Sequence, residues 1–166
     1  MTTKPDPIRP TDDEARALAR DLLSAARIAA LAVQLPEGGP MVTRVAFGLS
    51  PEGTPLTLIS DLAAHTRALR ADPAASLLVG EPGSRGDPLT HPRLTLLARA
   101  RFVAHDDPDY ARLARHYLST HPKAQLYIGF ADFSFALFSV QKGLLNGGFG
   151  RAFHLTPADM GLAARD

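Results

Sequence analysis

The chain contains no cysteine, which removes disulfides, thiolate metal sites and cysteine nucleophiles from consideration. No apolar run approaches the roughly 20 residues needed to cross a bilayer as a helix. The opening stretch M-T-T-K-P-D-P-I-R-P lacks the apolar centre of a secretory signal, so the expected location is the cytoplasm, away from any membrane. Eighteen Lys and Arg stand against 17 Asp and Glu, a net charge of +1. With the arginines scattered, nucleic acid is not the expected partner. Hydrolase machinery is missing too: no serine occupies a nucleophile elbow and no carboxylate pair stands out. The six histidines, His65, His91, His105, His116, His121 and His154, include no pair at helical i, i+4 spacing, so no metal site is expected.

What is present is an ordinary apolar share, 45% of 166 residues, enough for one domain spanning residues 1–166 with a real core. Residues 1–10 read as a loose arm. Thr11 and Glu14 have capping-box spacing, and Ala15, Leu18 and Leu22 continue it as a helix to about Ala25. Ile28 to Leu35 is an apolar strand ended by P-E-G-G-P. Met41 to Leu49 alternates, with Met41, Val45, Phe47 and Leu49 on one face and Val42, Arg44, Ala46 and Gly48 on the other. Further strands are expected at Pro55–Ser60, Ala74–Val79, Arg93–Ala104 and Phe133–Gly143, and the glycine-rich L-L-N-G-G-F-G-R-A-F-H-L reads as a bent or bulged strand. Asp107-Pro108 opens an amphipathic helix carrying Tyr110, Leu113 and Tyr117. Six or seven strands, mostly in antiparallel hairpins with three helices between them, make a mainly β fold: a barrel with helical additions.

The stretch most suggestive of chemistry is L-I-S-D-L-A-A-H-T-R-A-L-R-A-D-P, residues 58–73. A strand runs into a short helix there, and the corner holds Ser60, His65, Thr66 and Arg67. The first N–H groups of a helix have no intrahelical acceptor and sit at its positive end, so such a corner suits an anion. Equally, Ser60 and Asp61 can serve only as caps, with His65 on the solvated face. Arg44 stands among small residues, Ala46 and Gly48, on one face of its strand, which leaves room for a flat group.

These pieces, T-R-V-A-F, the run from Leu58 to Val79, G-D-P-L-T-H-P-R-L-T-L-L-A-R-A and N-G-G-F-G-R-A-F, occur in an order that resembles the FMN-binding split-barrel proteins related to pyridoxamine phosphate oxidase. The chain is most similar to the haem-utilisation branch of that superfamily. The resemblance implies a homodimeric split barrel with FMN in clefts at the subunit interface. It implies that Arg44, Ser60, His65 and Thr66 hold the flavin phosphate and that Arg93 lies near the flavin ring or ribityl chain. Ala46 and Gly48 would receive the isoalloxazine, and the aromatic strand Phe133–Phe138 would need a partner surface.

Three departures qualify the resemblance. Leu49 stands where the oxidase has a second basic residue. Ala64-His65-Thr66 replaces its Ser-Arg-Lys corner, and Arg151-Ala152-Phe153-His154 does not reproduce its arginine–histidine signature. Oxidation of pyridoxamine phosphate is therefore not the expected activity. The resemblance leaves an FMN-dependent oxidoreductase of unknown substrate, a haem-binding or haem-utilisation protein on the same fold, or a non-catalytic dimeric module that binds another phosphate-bearing cofactor. In the haem reading His154 is the candidate C-terminal iron ligand.

Overall fold

A computed structural model describes residues 6–163. After a two-residue strand β1 (Ile8–Arg9) comes helix α1 (Asp13–Ala25), then β2 (Ile28–Gln34), β3 (Pro40–Ala46), β4 (Gly48–Leu49) and β5 (Pro55–Ser60). Helix α2 (Ala64–Ala71) leads to β6 (Ala74–Val79) and the long β7 (Arg93–Val103). Helix α3 (Tyr110–Thr120), β8 (Phe133–Asn146) and β9 (Ala152–Leu155) complete the chain. The sheet order is β1-β9-β8-β7-β6-β2-β3, and β5 branches from β8 carrying β4. Every pairing is antiparallel except β1 with β9. Phe47 alone separates β3 from β4, so the sheet curls until its ends meet at one interrupted strand. No ladder joins β3 to β5 directly, and the barrel is split there. The two extra strands beyond the expected seven are the short β1 and β4, each two residues long.

β8 holds the architecture together. Its first half pairs with β5 and its second half with β9, while β7 runs along its whole other edge. A bulge between Leu97 and Ala98 leaves Gln141 unmatched, which flips the side-chain alternation of β8 relative to its first half. Leu31, Phe47, Leu77, Leu94, Leu96, Phe138 and Leu145 fill the barrel. A second cluster, with Leu56, Leu113, Tyr117, Phe135 and Leu137, lies where α3 covers the other face of β5 and β8. Phe135 and Phe138 are thus covered within one chain and need no partner, while Phe133 is only partly buried. Burying Phe135 and Phe138, at 0% and 1% exposure, contributes about 2–3 kcal/mol each.

Local details also depart from the sequence expectations. Asp12, not Thr11, caps α1: its side chain accepts from the Ala15 N–H at 2.8 Å. Thr11 instead donates to the His154 carbonyl at 2.9 Å, which ties the N-terminal segment to β9. Asp109 precedes α3, while Asp107 accepts from the Asp109 N–H. Gly48 offers no room for a flat ligand. The strand breaks at Phe47, whose N–H bonds the Arg27 carbonyl at 2.8 Å, and a Cβ at Gly48 would lie 3.3 Å from the ring of His121. That ring stacks on Tyr117 with centroids 4.2 Å apart. α3 therefore occupies the space beside Gly48.

Candidate functional site

The β3, β5 and α2 segments converge on a cleft of about 280 Å³ lined by Arg44, Ala46, Ser60, His65, Tyr127 and Phe133 among others. β5 delivers Ser60 as its last residue, and the turn Asp61–Ala63 swings α2 back so that His65 faces the same space. Ala63 caps α2 with no side-chain bond. The Thr66 and Arg67 N–H groups turn back onto the Ala63 carbonyl, which leaves those of Ala64 and His65 without intrahelical acceptors. The Arg44 guanidinium is exposed and, among the described residues, has no hydrogen-bond or ion-pair partner. Half-burial of His65 pushes its pKa below the usual imidazole value, so its ring is neutral near pH 7.

Ser60 is already committed. Its hydroxyl donates to the Asp132 carboxylate at 2.6 Å and accepts from the Leu62 N–H at 3.1 Å. The neighbouring Asp61 N–H bonds the Asp132 carbonyl at 2.8 Å, so the β5–α2 turn is clamped to the segment before β8. A carboxylate consequently stands where the sequence suggested an anion site. Thr66 does not line the cleft. It is 0% exposed, and its hydroxyl is sealed away with no hydrogen-bond partner among the described residues.

Arg93 lies elsewhere. Val103 and Leu58 both stand opposite Phe135, close to the level of Ser60. Arg93 is ten residues back along β7, about 33 Å at strand rise. Its guanidinium donates to the Leu89 and His91 carbonyls at 3.0 and 3.4 Å.

A second relationship connects the candidates. Reading across the ladders, His154 on β9 stands opposite Leu144, Leu144 opposite Thr95, Thr95 opposite Leu78, Leu78 opposite Ala30, and Ala30 opposite Arg44. Directly opposed residues share a face, so these six form one row on the outside of the sheet. None of the six is buried. The row begins with an exposed imidazole and ends with an unpaired guanidinium, and apolar or small side chains lie between. Val42 and Leu78, 66% and 42% exposed, belong to the same face, as do Lys142 near His154 and Arg93 one step further along β7. Five strand spacings put the ends about 24 Å apart along the sheet. Between β2, β6 and Arg44 a groove of about 210 Å³ is walled at one end by Gly80, Glu81 and Pro82.

Asp132, Tyr127 and Phe133 escaped sequence reasoning. Asp132 reaches Ser60 across 72 residues of chain, and no periodicity or motif signals such a contact. The pair Tyr127–Phe133, with rings 5.1 Å apart, sits on the turn into β8, where an aromatic-rich run was legible but its role as a cleft wall was not. Among the described residues, no group of three or more His, Asp or Glu is placed to hold a metal ion. Among those residues no helix is long and apolar enough to cross a membrane.

Comparison with known proteins places this geometry in context. The chain is 40% identical over 100 residues to a non-canonical haem oxygenase, HOZ, from the chloroplast of Arabidopsis thaliana, an alignment covering 60% of this chain and 29% of the plant protein. It is 31% identical to a haem-binding protein of Mycobacterium smegmatis of known structure, with a TM-score of 0.79 over 93% of this chain and 61% of that one. The haem storage protein HutZ of Vibrio cholerae shares the fold, with a TM-score of 0.68 at 21% identity, covering 84% of this chain and 97% of that one. The chain thus spans less than a third of the plant relative and about three fifths of the mycobacterial one. Residues 15–144 match the family model described as pyridoxamine 5'-phosphate oxidase, and the chain belongs to that family.

Proposed function

We propose that the protein binds haem on the outer face of its sheet, between two copies of the chain. The observation that carries this reading is the row from His154 to Arg44, which supplies the donor types a haem requires. An exposed imidazole with no ring partner among the described residues suits the iron. Half-exposed apolar side chains suit the porphyrin faces, and Arg44, Arg93 and Lys142 suit the propionates. The haem-handling relatives at 40% and 31% identity support it. When bound, the haem would supply redox and ligand-binding chemistry; the protein's part is to ligate it, neutralise its carboxylates and shield it from water.

Two copies are part of the proposal. The cleft and the groove, about 280 and 210 Å³, are each smaller than typical cofactor pockets of roughly 300–1,000 Å³, so one chain covers only part of a ligand.

The FMN reading retains one specific observation in its favour, the convergence of Arg44, Ser60 and His65 on one cleft. Asp132 weighs against it: a flavin phosphate carries up to two negative charges, and the hydroxyl that should greet it is bonded to a carboxylate. Titration of the purified protein with hemin and, separately, with FMN tests the two readings. The haem proposal expects a saturable Soret band with hemin and no saturable quenching of FMN fluorescence. Saturable FMN binding with no Soret band would reverse the order.

A further inference from the structure

The loop joining β6 to β7 folds around the ring of His91. The Gly83 N–H donates to Nδ1 at 3.1 Å, and Nε2 lies 2.7 Å from the Arg85 carbonyl. A carbonyl accepts only, so Nε2 carries the hydrogen and Nδ1 is bare. The bonding pattern is that of a neutral imidazole. Gly83 is needed for this approach, since a Cβ there would lie 3.1 Å from the His91 Cε1.

The folded loop reaches the ligand-binding face at two points. Its C-terminal end presents the Leu89 and His91 carbonyls to the Arg93 guanidinium. Its N-terminal end is pinned by Gly80, at φ +99°, where a Cβ would lie 2.6 Å from the Pro92 carbonyl oxygen. That pin holds Glu81 and Pro82 in the wall of the groove that contains Arg44 and Leu78.

We propose that His91 is a positioning residue: its neutral ring braces residues 81–92, and its protonation releases the brace, and with it Arg93 and the Glu81–Pro82 wall. A proton on Nδ1 would face the Gly83 N–H, turning a hydrogen bond into a repulsion. Charged groups on the segments around the ring are Arg85 and Asp87 in the loop, Glu81 at its base and Arg93 on β7. The β8–β9 hairpin touches Thr90 through Gly148, and its first titratable residue is Arg151. Arg85 and Arg93 oppose a second positive charge there. Asp87 would favour it, but its carboxylate is turned to the Leu89 N–H at 2.9 Å.

The ligand side of this inference rests on the haem reading; the loop side does not, and the test separates them. Hydrogen exchange at the Gly83 amide, corrected for its intrinsic pH dependence, is measured on the ligand-free protein at about pH 7.5 and about pH 5.5. Acidification is expected to speed it by about tenfold or more. In His91→Gln, whose amide can accept from Gly83 and donate to Arg85 without titrating, exchange stays slow at both pH values; in His91→Phe it is fast at both. Hemin affinity, read by Soret titration as the ratio of wild type to His91→Gln, is expected to fall about threefold or more over the same range. Equal Gly83 exchange in wild type at both pH values, or unchanged exchange in His91→Phe, overturns the brace. A responsive loop with a constant affinity ratio overturns the positioning role. Absence of hemin binding at either pH overturns both the haem reading and that role, and leaves the brace to be decided by Gly83.

Discussion

The Ser60 hydroxyl and the Asp132 carboxylate are 2.6 Å apart, with the hydroxyl donating. This bond sets a carboxylate at the corner that reads as a phosphate site in the sequence. Asp132→Asn keeps an acceptor for Ser60 while removing the charge. Affinity for inorganic phosphate, used as a probe, is expected to rise by about threefold to tenfold; isothermal titration calorimetry measures it. Unchanged affinity would mean that the carboxylate is not what limits anion binding there.

Arg44 is exposed and unpaired among the described residues, so its removal should cost the fold little. Arg44→Gln is expected to weaken hemin binding by about tenfold, the loss of one charge-assisted contact of about 1.4 kcal/mol, and to leave the melting temperature within a degree or so. Arg44→Lys should recover part of the affinity. A large drop in melting temperature would assign Arg44 to the fold instead.

Buried hydroxyls make a separate prediction about stability. The Thr57 and Thr66 hydroxyls are sealed from solvent and, among the described residues, have no hydrogen-bond partner. Exchanging hydroxyl for methyl removes an unpaid desolvation cost, so Thr57→Val and Thr66→Val should each stabilise by about 1 kcal/mol in denaturant unfolding. Thr66→Val should also leave ligand affinity unchanged, because the hydroxyl does not line the cleft. Weakened binding in this variant would show that the α2 corner opens to admit a ligand.

Burial holds the His65 pKa below 6.5 in the free protein. The neutral ring therefore favours the fold above that pH, and the contribution is lost as the pH falls. An anion entering the cleft favours the protonated ring, so binding there should take up a fraction of a proton near pH 6 and tighten on mild acidification. Calorimetry in two buffers of different ionisation enthalpy measures the uptake, and His65→Gln should abolish it. Proton release on binding would contradict the placement of the anion beside His65.

Much of this protein was legible in its residues, and the limits have physical causes. The alternation of Arg93–Ala104 and the helical spacing of Ala15, Leu18 and Leu22 report which face meets the core, and β7 and α1 follow them. The break at Phe47 was not legible, because the alternation of Met41–Leu49 runs through it; the interruption arises from a hydrogen bond to Arg27 and from α3 lying over Gly48. The family resemblance grouped Arg44, Ser60, His65, Thr66 and Arg93, and of these the structure brings Arg44, Ser60 and His65 to one cleft. The resemblance could not reveal Asp132, or that His154 and Arg44 share a row, since both depend on ladders between strands far apart in sequence.

The outer face predicts its own disruption. Leu78→Asp puts a charge at the middle of the row, on a side chain already 42% exposed, so the chain should fold while its self-association weakens by about tenfold or more. Haem shared between copies can be tested in one run: sedimentation velocity of the hemin-loaded wild-type protein, detected in the Soret band. The absorbing species should sediment as a pair of chains, about 35 kDa from twice 17.7 kDa. Soret absorbance travelling with the single chain, or left behind as free hemin, would contradict binding between two copies.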